Sequence, residues 1–230
     1  VLDIGANTGS FCLLAKKNIN MRVYAFEPNP SVFEILNTNI CLNNLHDKIK
    51  TFQIALSDKK GTVILKLPVG NSESGLACIG NPICYSDFVE TEVYASPIDE
   101  VVMENYIKSV DLIKIDTEGC EFFVLKGGEK FIREHKPDIL LEYSKTCQFG
   151  YKPREIISLL KFWGYKYIVL SQEDMYFFNP QRRRSFLSQQ DKLNYILNKI
   201  YFKIERFSLK NVYNRILRIA ENIRHPKLII

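Results

Sequence analysis

An α/β fold, doubly wound around a mostly parallel seven-stranded sheet, is predicted by three stretches of this 230-residue chain. In the first, Val1 to Phe11, a short apolar strand passes through Gly5 and Gly9 into helical spacing. In the second, Val23 to Glu27, a strand ends in a carboxylate about 20 positions after the glycine turn, where nucleotide-binding α/β folds receive ribose hydroxyls. The third is the buried-strand pattern Val110 to Asp116, which turns through Thr117-Glu118-Gly119 into a helix. A strand, a glycine turn and a helix placed in succession aim several backbone N–H groups and a positive helix end at one small cavity.

Taken in order, Val1-Leu2-Asp3-Ile4 reads as the first strand, with a helix expected from Ser10 through Phe11, Leu13 and Leu14. Helical spacing of Val32, Phe33, Leu36 and Ile40 predicts a helix over Pro30 to Leu42. Ile49 to Ser57 is expected as the third strand and Gly61 to Pro68 as an edge strand, by its alternation of Val63, Leu65 and Leu67. From Val69 to Ala95 periodicity is lost amid Gly70, Gly75, Gly80 and Pro82, which predicts a long loop walling an acceptor pocket. After the strand at Val110 to Asp116, one helix is expected to about Lys136, then a strand over Asp138 to Tyr143 and a helix over Pro153 to Trp163. A hairpin of Tyr165 to Leu170 and Met175 to Phe178 would close the sheet.

The glycine spacing separates cofactor types. A dinucleotide turn needs Gly-x-Gly-x-x-Gly so that the backbone can approach a pyrophosphate, but here Asn7 stands where the middle glycine would be. Asp3 adds a negative charge that repels phosphate and attracts a cation. A ligand with a ribose, no phosphate and a positive charge is S-adenosylmethionine, and the turn resembles that of class I methyltransferases using it. A nicotinamide oxidoreductase is the rival that Asn7 disfavours. The candidate cofactor residues are Asp3, Gly5, Asn7, Gly9, Glu27, Ala55, Leu56 and Asp116. Ser57 or Asp58 would reach an adenine amino group, with a plain turn as the alternative at Asp58. Asp116 and Glu118, two apart at a strand end, point the same way if the extended geometry persists. They and Glu142, a carboxylate near the end of an apolar strand, are the candidate catalytic bases. Helix-dipole stabilisation for Glu121 and a salt bridge for Glu142 are the competing structural readings.

Asp-Ile-Gly-Ala-Asn-x-Gly, Phe-Glu-Pro-Asn-Pro, Ala-Leu-Ser-Asp, Ile-Lys-Ile-Asp-x-Glu-Gly-x-Glu and Leu-Lys-Gly together resemble the FkbM family of S-adenosylmethionine-dependent methyltransferases, from Val1 to about Tyr143. The resemblance implies O-methylation of a hydroxyl on a sugar, glycan or secondary-metabolite-type acceptor. It implies that Asp3, Gly5, Asn7, Gly9 and Glu27 hold the cofactor and that Asp116 to Glu121 line the reaction centre. Ala95 to Glu100 departs from the Thr-Leu-Asp segment usual in that family.

Composition is that of a globular protein, 46% hydrophobic and 25% charged, and no apolar run reaches the roughly 18 residues of a membrane span. The chain begins at Val1 within a strand, so an N-terminally truncated domain is expected. Six cysteines without a Cys-x-x-Cys pair read as reduced, mostly buried thiols of a cytoplasmic protein, and three histidines lack ligand spacing, so no histidine-based metal site is expected; the candidate carboxylates leave a divalent cation open without demanding one. The methyltransferase domain is assigned to residues 1–180 and a basic amphipathic helical extension to 181–230. The latter holds 12 lysines and arginines against 3 acidic residues, whereas the whole chain holds 31 against 26. Own-domain or homodimer packing through residues 185–225 and peripheral contact with the inner membrane surface are the readings of that extension. Nucleic acid is not an expected partner, because Arg182-Arg183-Arg184 lacks interleaved aromatics. A non-catalytic binding module recruited to a membrane or partner by the tail is the alternative to an enzyme.

Overall fold

The computed structural model describes residues 1–17, 20–69, 76–82, 86–143, 147–148, 150–171 and 173–181. The expected extension over 181–230, with its membrane and dimer readings, falls outside these apart from Gln181. Among the described residues no helix is long and apolar enough to cross a membrane.

The first half of the chain supplies β1 (Leu2–Ile4), a five-residue 3-10 helix (Cys12–Lys16), β2 (Val23–Phe26), α1 (Pro30–Leu42), β3 (Ile49–Phe52), β4 (Ala55–Leu56), β5 (Gly61–Pro68), β6 (Asn81–Pro82) and β7 (Phe88–Ser96). The second supplies α2 (Ile98–Glu104), β8 (Leu112–Ile115), α3 (Glu121–Gly127), α4 (Glu129–His135), β9 (Asp138–Glu142), β10 (Cys147–Gln148), α5 (Pro153–Phe162), β11 (Lys166–Val169) and β12 (Asp174–Phe178). Seven strands form the main sheet in the order β11-β12-β9-β8-β1-β2-β3. Pairing is parallel from β9 to β3, and only the β9–β12 and β12–β11 pairs are antiparallel. The expected doubly wound, mostly parallel seven-stranded sheet is therefore the observed one.

Alternation along the buried strands supplies the two core layers. Leu2, Ile4, Ile113, Ile115, Ile139 and Leu141 face one side, against Val101, Val124, Leu125, Ile132, Ile156 and Leu160 of the helices there. Val23, Ala25, Leu112 and Leu140 face the other, against Cys12, Ala15, Leu36 and Ile40. Helix α1 starts where the sequence dictates: Asn29 is its N-cap, accepting from Ser31 N–H at 3.2 Å, and Pro30 occupies the first turn.

Several expectations need correction. The helix from Ser10 is only the short 3-10 segment. The third strand divides in two: Ile49–Phe52 stays in the main sheet, and Ala55–Leu56 joins a separate three-stranded sheet in the order β4-β7-β5. Gly61–Pro68 is therefore not an edge of the main sheet. The supposed loop to Ala95 contains β7, which pairs antiparallel with the whole of β5, from Gly61↔Ala95 to Pro68↔Phe88. The helix expected to Lys136 is two helices broken at Gly128, where an added Cβ would meet the Ile98 and Ile132 side chains at 2.8 and 3.1 Å.

The segment Ala95 to Glu100 carries a feature not anticipated. Asp99 accepts from Phe131 N–H at 2.8 Å and Lys130 N–H at 3.2 Å, the free donors of α4's first turn. Because the residue at that cap position is Gly128, with no side chain to offer, α2 caps α4 from outside. Replacing Asp99 by alanine is expected to cost about 1 kcal/mol. For a domain of this size that lowers the melting temperature by about 2–4 °C, and a thermal scan by circular dichroism checks it.

Candidate functional site

The C-terminal ends of β1, β2, β4 and β8 meet around a cleft that opens to solvent. This is the crevice outside strand ends where open α/β sheets take ligands. Its polar lining comes from Gly5, Asn7, Glu27, Asp116, Thr117 and Glu118, and its apolar lining includes Phe26, Ile54, Ala55, Leu56, Leu65 and Ile79. Among the described lining residues there are three carboxylates and no lysine, arginine or histidine.

The floor is the glycine turn. Gly5 has φ +71°, and a Cβ there would lie 1.8 Å from the Asp116 carbonyl oxygen, so only glycine lets β1 and β8 end side by side. Asn7 follows at φ +50°, a left-handed conformation that asparagine tolerates, and its Oδ1 accepts from Thr8 N–H at 2.7 Å. The turn's backbone reaches Glu27: Asn7 N–H donates to Oε2 and Asn29 N–H to Oε1, each at 2.9 Å. These bonds fix the carboxylate plane at the cleft edge. Burial nevertheless raises the Glu27 pKa, since the N–H donors and the more distant Lys114 offset only part of the desolvation.

Beneath the turn lies a buried ionic cluster. Asp3 and Lys114 are direct neighbours on β1 and β8, so their side chains leave the sheet on the same face. The Lys114 ammonium lies 3.2 Å from Asp3 Oδ1 and 3.4 Å from Asp116 Oδ2, and donates to the Gly5 carbonyl at 2.7 Å. Cys12 Sγ donates to Asp3 Oδ2 at 3.1 Å, and burial, reinforced by Asp3, pushes the thiol pKa well up. Lys114 was not singled out in the sequence. The signal was there, a charged residue in the four-residue strand Leu112–Ile115 that is buried throughout.

On the β8 side, Asp116 and Glu118 both line the cleft. Glu118 does so at φ +53°, a backbone state that costs a non-glycine residue on the order of 1 kcal/mol and that clusters at functional sites. The turn is held from behind by Glu121. Its Oε1 accepts from Gly119 N–H at 2.8 Å, from the Thr117 hydroxyl at 3.2 Å and from Thr117 N–H at 3.4 Å.

The structure thus brings Gly5, Asn7, Glu27, Ala55, Leu56, Asp116 and Glu118 to one cleft. It places the other candidates elsewhere. Asp3 is 0% exposed under the turn, with its charge committed to Lys114. Gly9, at φ +92°, packs against Leu36 of α1. Glu142 stands at the end of β9 opposite Asp174 of β12, one strand beyond the cleft. Ser57 and Asp58 are not in the lining, and Glu121 supports the cleft without lining it. Ala77, Cys78 and Ile79, within the Val69 to Ala95 segment expected to wall a pocket, line the cleft. The thiol reading also needs correction. Cys78 is disulfide-bonded and Cys41 is exposed, while Cys12 and Cys120 are buried free thiols.

A family model for a methyltransferase FkbM domain matches residues 3–167. A protein named methyltransferase sdnD from Sordaria araneosa is 31% identical over 154 residues, 55% of this chain and 59% of its own length. The chain therefore spans less than two thirds of that relative. A 2-O-methyltransferase NoeI from Sinorhizobium fredii is 27% identical over 179 residues, 70% of each chain. A crystal structure of an FkbM methyltransferase from Methylobacillus flagellatus superposes with a TM-score of 0.52 at 18% identity. The superposition covers 77% of this chain and 42% of that one, and it is a likeness of fold.

Proposed function

The chain belongs to the FkbM methyltransferase family, and from that premise we propose that it moves a methyl group from S-adenosylmethionine to a hydroxyl oxygen of a sugar, glycan or secondary-metabolite-type acceptor. The observation that carries this reading is Glu27, a carboxylate fixed at the cleft edge by two backbone N–H groups at 2.9 Å. Two oxygens in that plane match a vicinal diol.

The remaining lining fits the same cofactor. Three carboxylates in the lining, of which Asp116 is partly balanced by Lys114 at 3.4 Å beneath the turn, favour a sulfonium and disfavour a pyrophosphate. Phe26, Ile54, Ala55 and Leu56 offer apolar walls for a flat ring. The name 2-O-methyltransferase of the relative NoeI supports oxygen as the acceptor atom.

The cofactor, when bound, supplies a methyl group that is already activated. The protein's residues then have three tasks. Glu27 holds the ribose hydroxyls and so fixes the reactive end relative to the β8 side. Asp116 or Glu118 would accept the proton of the acceptor hydroxyl as its oxygen takes the methyl group, the methyl–sulfur bond breaking to leave a neutral thioether. Leu65 and Ile79 exclude water from the space between.

Calorimetric titration with S-adenosylhomocysteine, with NADH as control, tests the reading. Saturable binding of the former alone supports it; binding of NADH, or of neither by a folded chain, overturns it. Glu27→Ala is expected to weaken S-adenosylhomocysteine about 10- to 100-fold, through the loss of charge-assisted hydrogen bonds worth roughly 1.5–3 kcal/mol.

A further inference from the structure

Glu121 is 0% exposed and, among the described residues, takes part in no ion pair. Among the described residues its hydrogen-bonding neighbours are Gly119, Thr117, Tyr151 and its own backbone N–H. One oxygen, Oε1, is surrounded by donors from Gly119 and Thr117. The other, Oε2, lies 2.7 Å from the Tyr151 hydroxyl. That hydroxyl also lies 2.6 Å from the Gly119 carbonyl oxygen.

The hydrogens do not suffice if Glu121 is ionised. Tyr151 Oη then faces two acceptors with one hydrogen, and two oxygens are left in contact with no proton between them. One added proton completes the set. A carboxylic acid at Oε2 donates to Tyr151 Oη, Tyr151 donates to the Gly119 carbonyl, and Oε1 keeps its three donors. We propose that Glu121 is a neutral carboxylic acid and that its proton closes a clasp between the Thr117–Gly119 turn and Tyr151. Glu121 is in this sense a positioning residue, acting through the turn that presents Glu118 to the cleft.

The surroundings agree. Among the described residues, the titratable groups facing Glu121 are Tyr151, Tyr143 beyond β9 and Cys120 ahead of α3, and none of them is a cation. Burial raises the pKa of each of them. Lys126, on the same helix, lies over the Phe122 ring at 4.8 Å, and Glu155 at the start of α5 accepts from Lys152 N–H. Burial raises the Glu121 pKa as well, ahead of the opposing hydrogen bonds. A raised value means that the stability of the clasp is complete below the ordinary glutamate range and is lost as pH rises through the value in the folded protein. Phe122 and Phe123 pack on the Tyr151 ring, at 5.2 and 5.9 Å between centroids, so a released hydroxyl would leave an otherwise fixed aromatic cluster.

The test uses the full chain and needs no acceptor. Glutamine reproduces the neutral acid, since its amide N–H donates to Tyr151 and its carbonyl accepts from Gly119. E121Q should therefore retain the wild-type melting temperature near neutrality, whereas E121A and Y151F should both lose stability. Wild type should lose stability relative to E121Q as pH is raised. Glu27, whose pKa is raised in the same direction, is present in both proteins and cancels in that difference. The infrared spectrum should contain a protonated buried carboxyl band in wild type that disappears in E121Q. Absence of that band, coincident pH profiles for wild type and E121Q, or an E121Q protein as unstable as E121A would each overturn the proposal. Affinity for S-adenosylhomocysteine should fall about tenfold in E121A and stay within about twofold in E121Q, as a lost or retained buried hydrogen-bonding group dictates. That last readout rests on the proposed function, and the infrared and pH readouts do not, so the two can fail separately.

Discussion

Gly5→Ala is expected to be the most damaging single methyl that can be added to the described chain. Two costs coincide. Alanine at φ +71° gives up about 1–2 kcal/mol relative to glycine. Its Cβ would also stand 1.8 Å from the Asp116 carbonyl oxygen and 2.8 Å from the carbonyl carbon, both backbone atoms of the neighbouring strand end. A rotamer change cannot relieve that clash, so β1 and β8 must part where Asp116 N–H donates to the Ile4 carbonyl at 3.0 Å. Overpacking of this kind costs about 1–3 kcal/mol, here at the upper end. A total near 4 kcal/mol lowers the melting temperature by on the order of 10 °C. Gly9→Ala is the control. Its φ is also positive, but its Cβ would meet only the Leu36 Cδ1 at 2.7 Å, the tip of a side chain that can turn. A Gly5→Ala protein melting within a degree or two of wild type would mean that the two strand ends are not held as close as described.

Lys114→Met should be nearly as costly, for an electrostatic reason. Asp3 Oδ1 is buried and has no hydrogen bond among the described residues; the Lys114 ammonium at 3.2 Å is what compensates its charge. Removing one partner of a buried pair leaves an uncompensated charge and costs about 3–5 kcal/mol. The Gly5 carbonyl would lose its 2.7 Å donor in the same step. The informative measurement is a double-mutant cycle with Asp3→Asn, read by chemical denaturation. Asp3→Asn/Lys114→Met should be more stable than Lys114→Met alone, because the stranded charge is gone. If the two changes are simply additive, the pair is not coupled and the cluster is not what holds the turn.

The elements that could be read from the sequence are those in which one local rule decides. Pro30–Leu42 combines a capping asparagine, a proline in the first turn and apolar residues at helical spacing, and it forms as read. Glu27 and Asp116 could be read because each is a carboxylate at the end of an apolar strand; Glu142 meets the same rule and lies one strand beyond the cleft. Phe88–Ser96 was missed because only Val93, Ala95 and Ser96 are buried; its other side chains give no alternation to detect, and glycine-rich chain precedes it. Asp3 was read as a ligand residue because its charge was visible and its partner was not. The lysine that neutralises it is 111 positions away in sequence and adjacent only once β1 and β8 pair. Glu121 illustrates the converse. A glutamate in the first turn of a helix suggests a dipole contact, and only the three-dimensional neighbourhood reveals Tyr151 on its other oxygen.

The strand order carries a consequence for how the molecule is made. β1 lies in the interior of the sheet, with β2 on one side and β8 on the other. The first neighbour follows within a few tens of residues, but Lys114, which seals the Gly5 carbonyl from the second side, is 109 residues further along. During synthesis at roughly 5–20 residues per second, one edge of β1 stays unpaired for several seconds after β2 could have docked. Asp3 sits on that open strand. Before Lys114 arrives it is a solvated charge on an incomplete edge, which opposes the edge-to-edge association to which unpaired strands are prone. The same carboxylate that anchors the finished turn thus guards the nascent one.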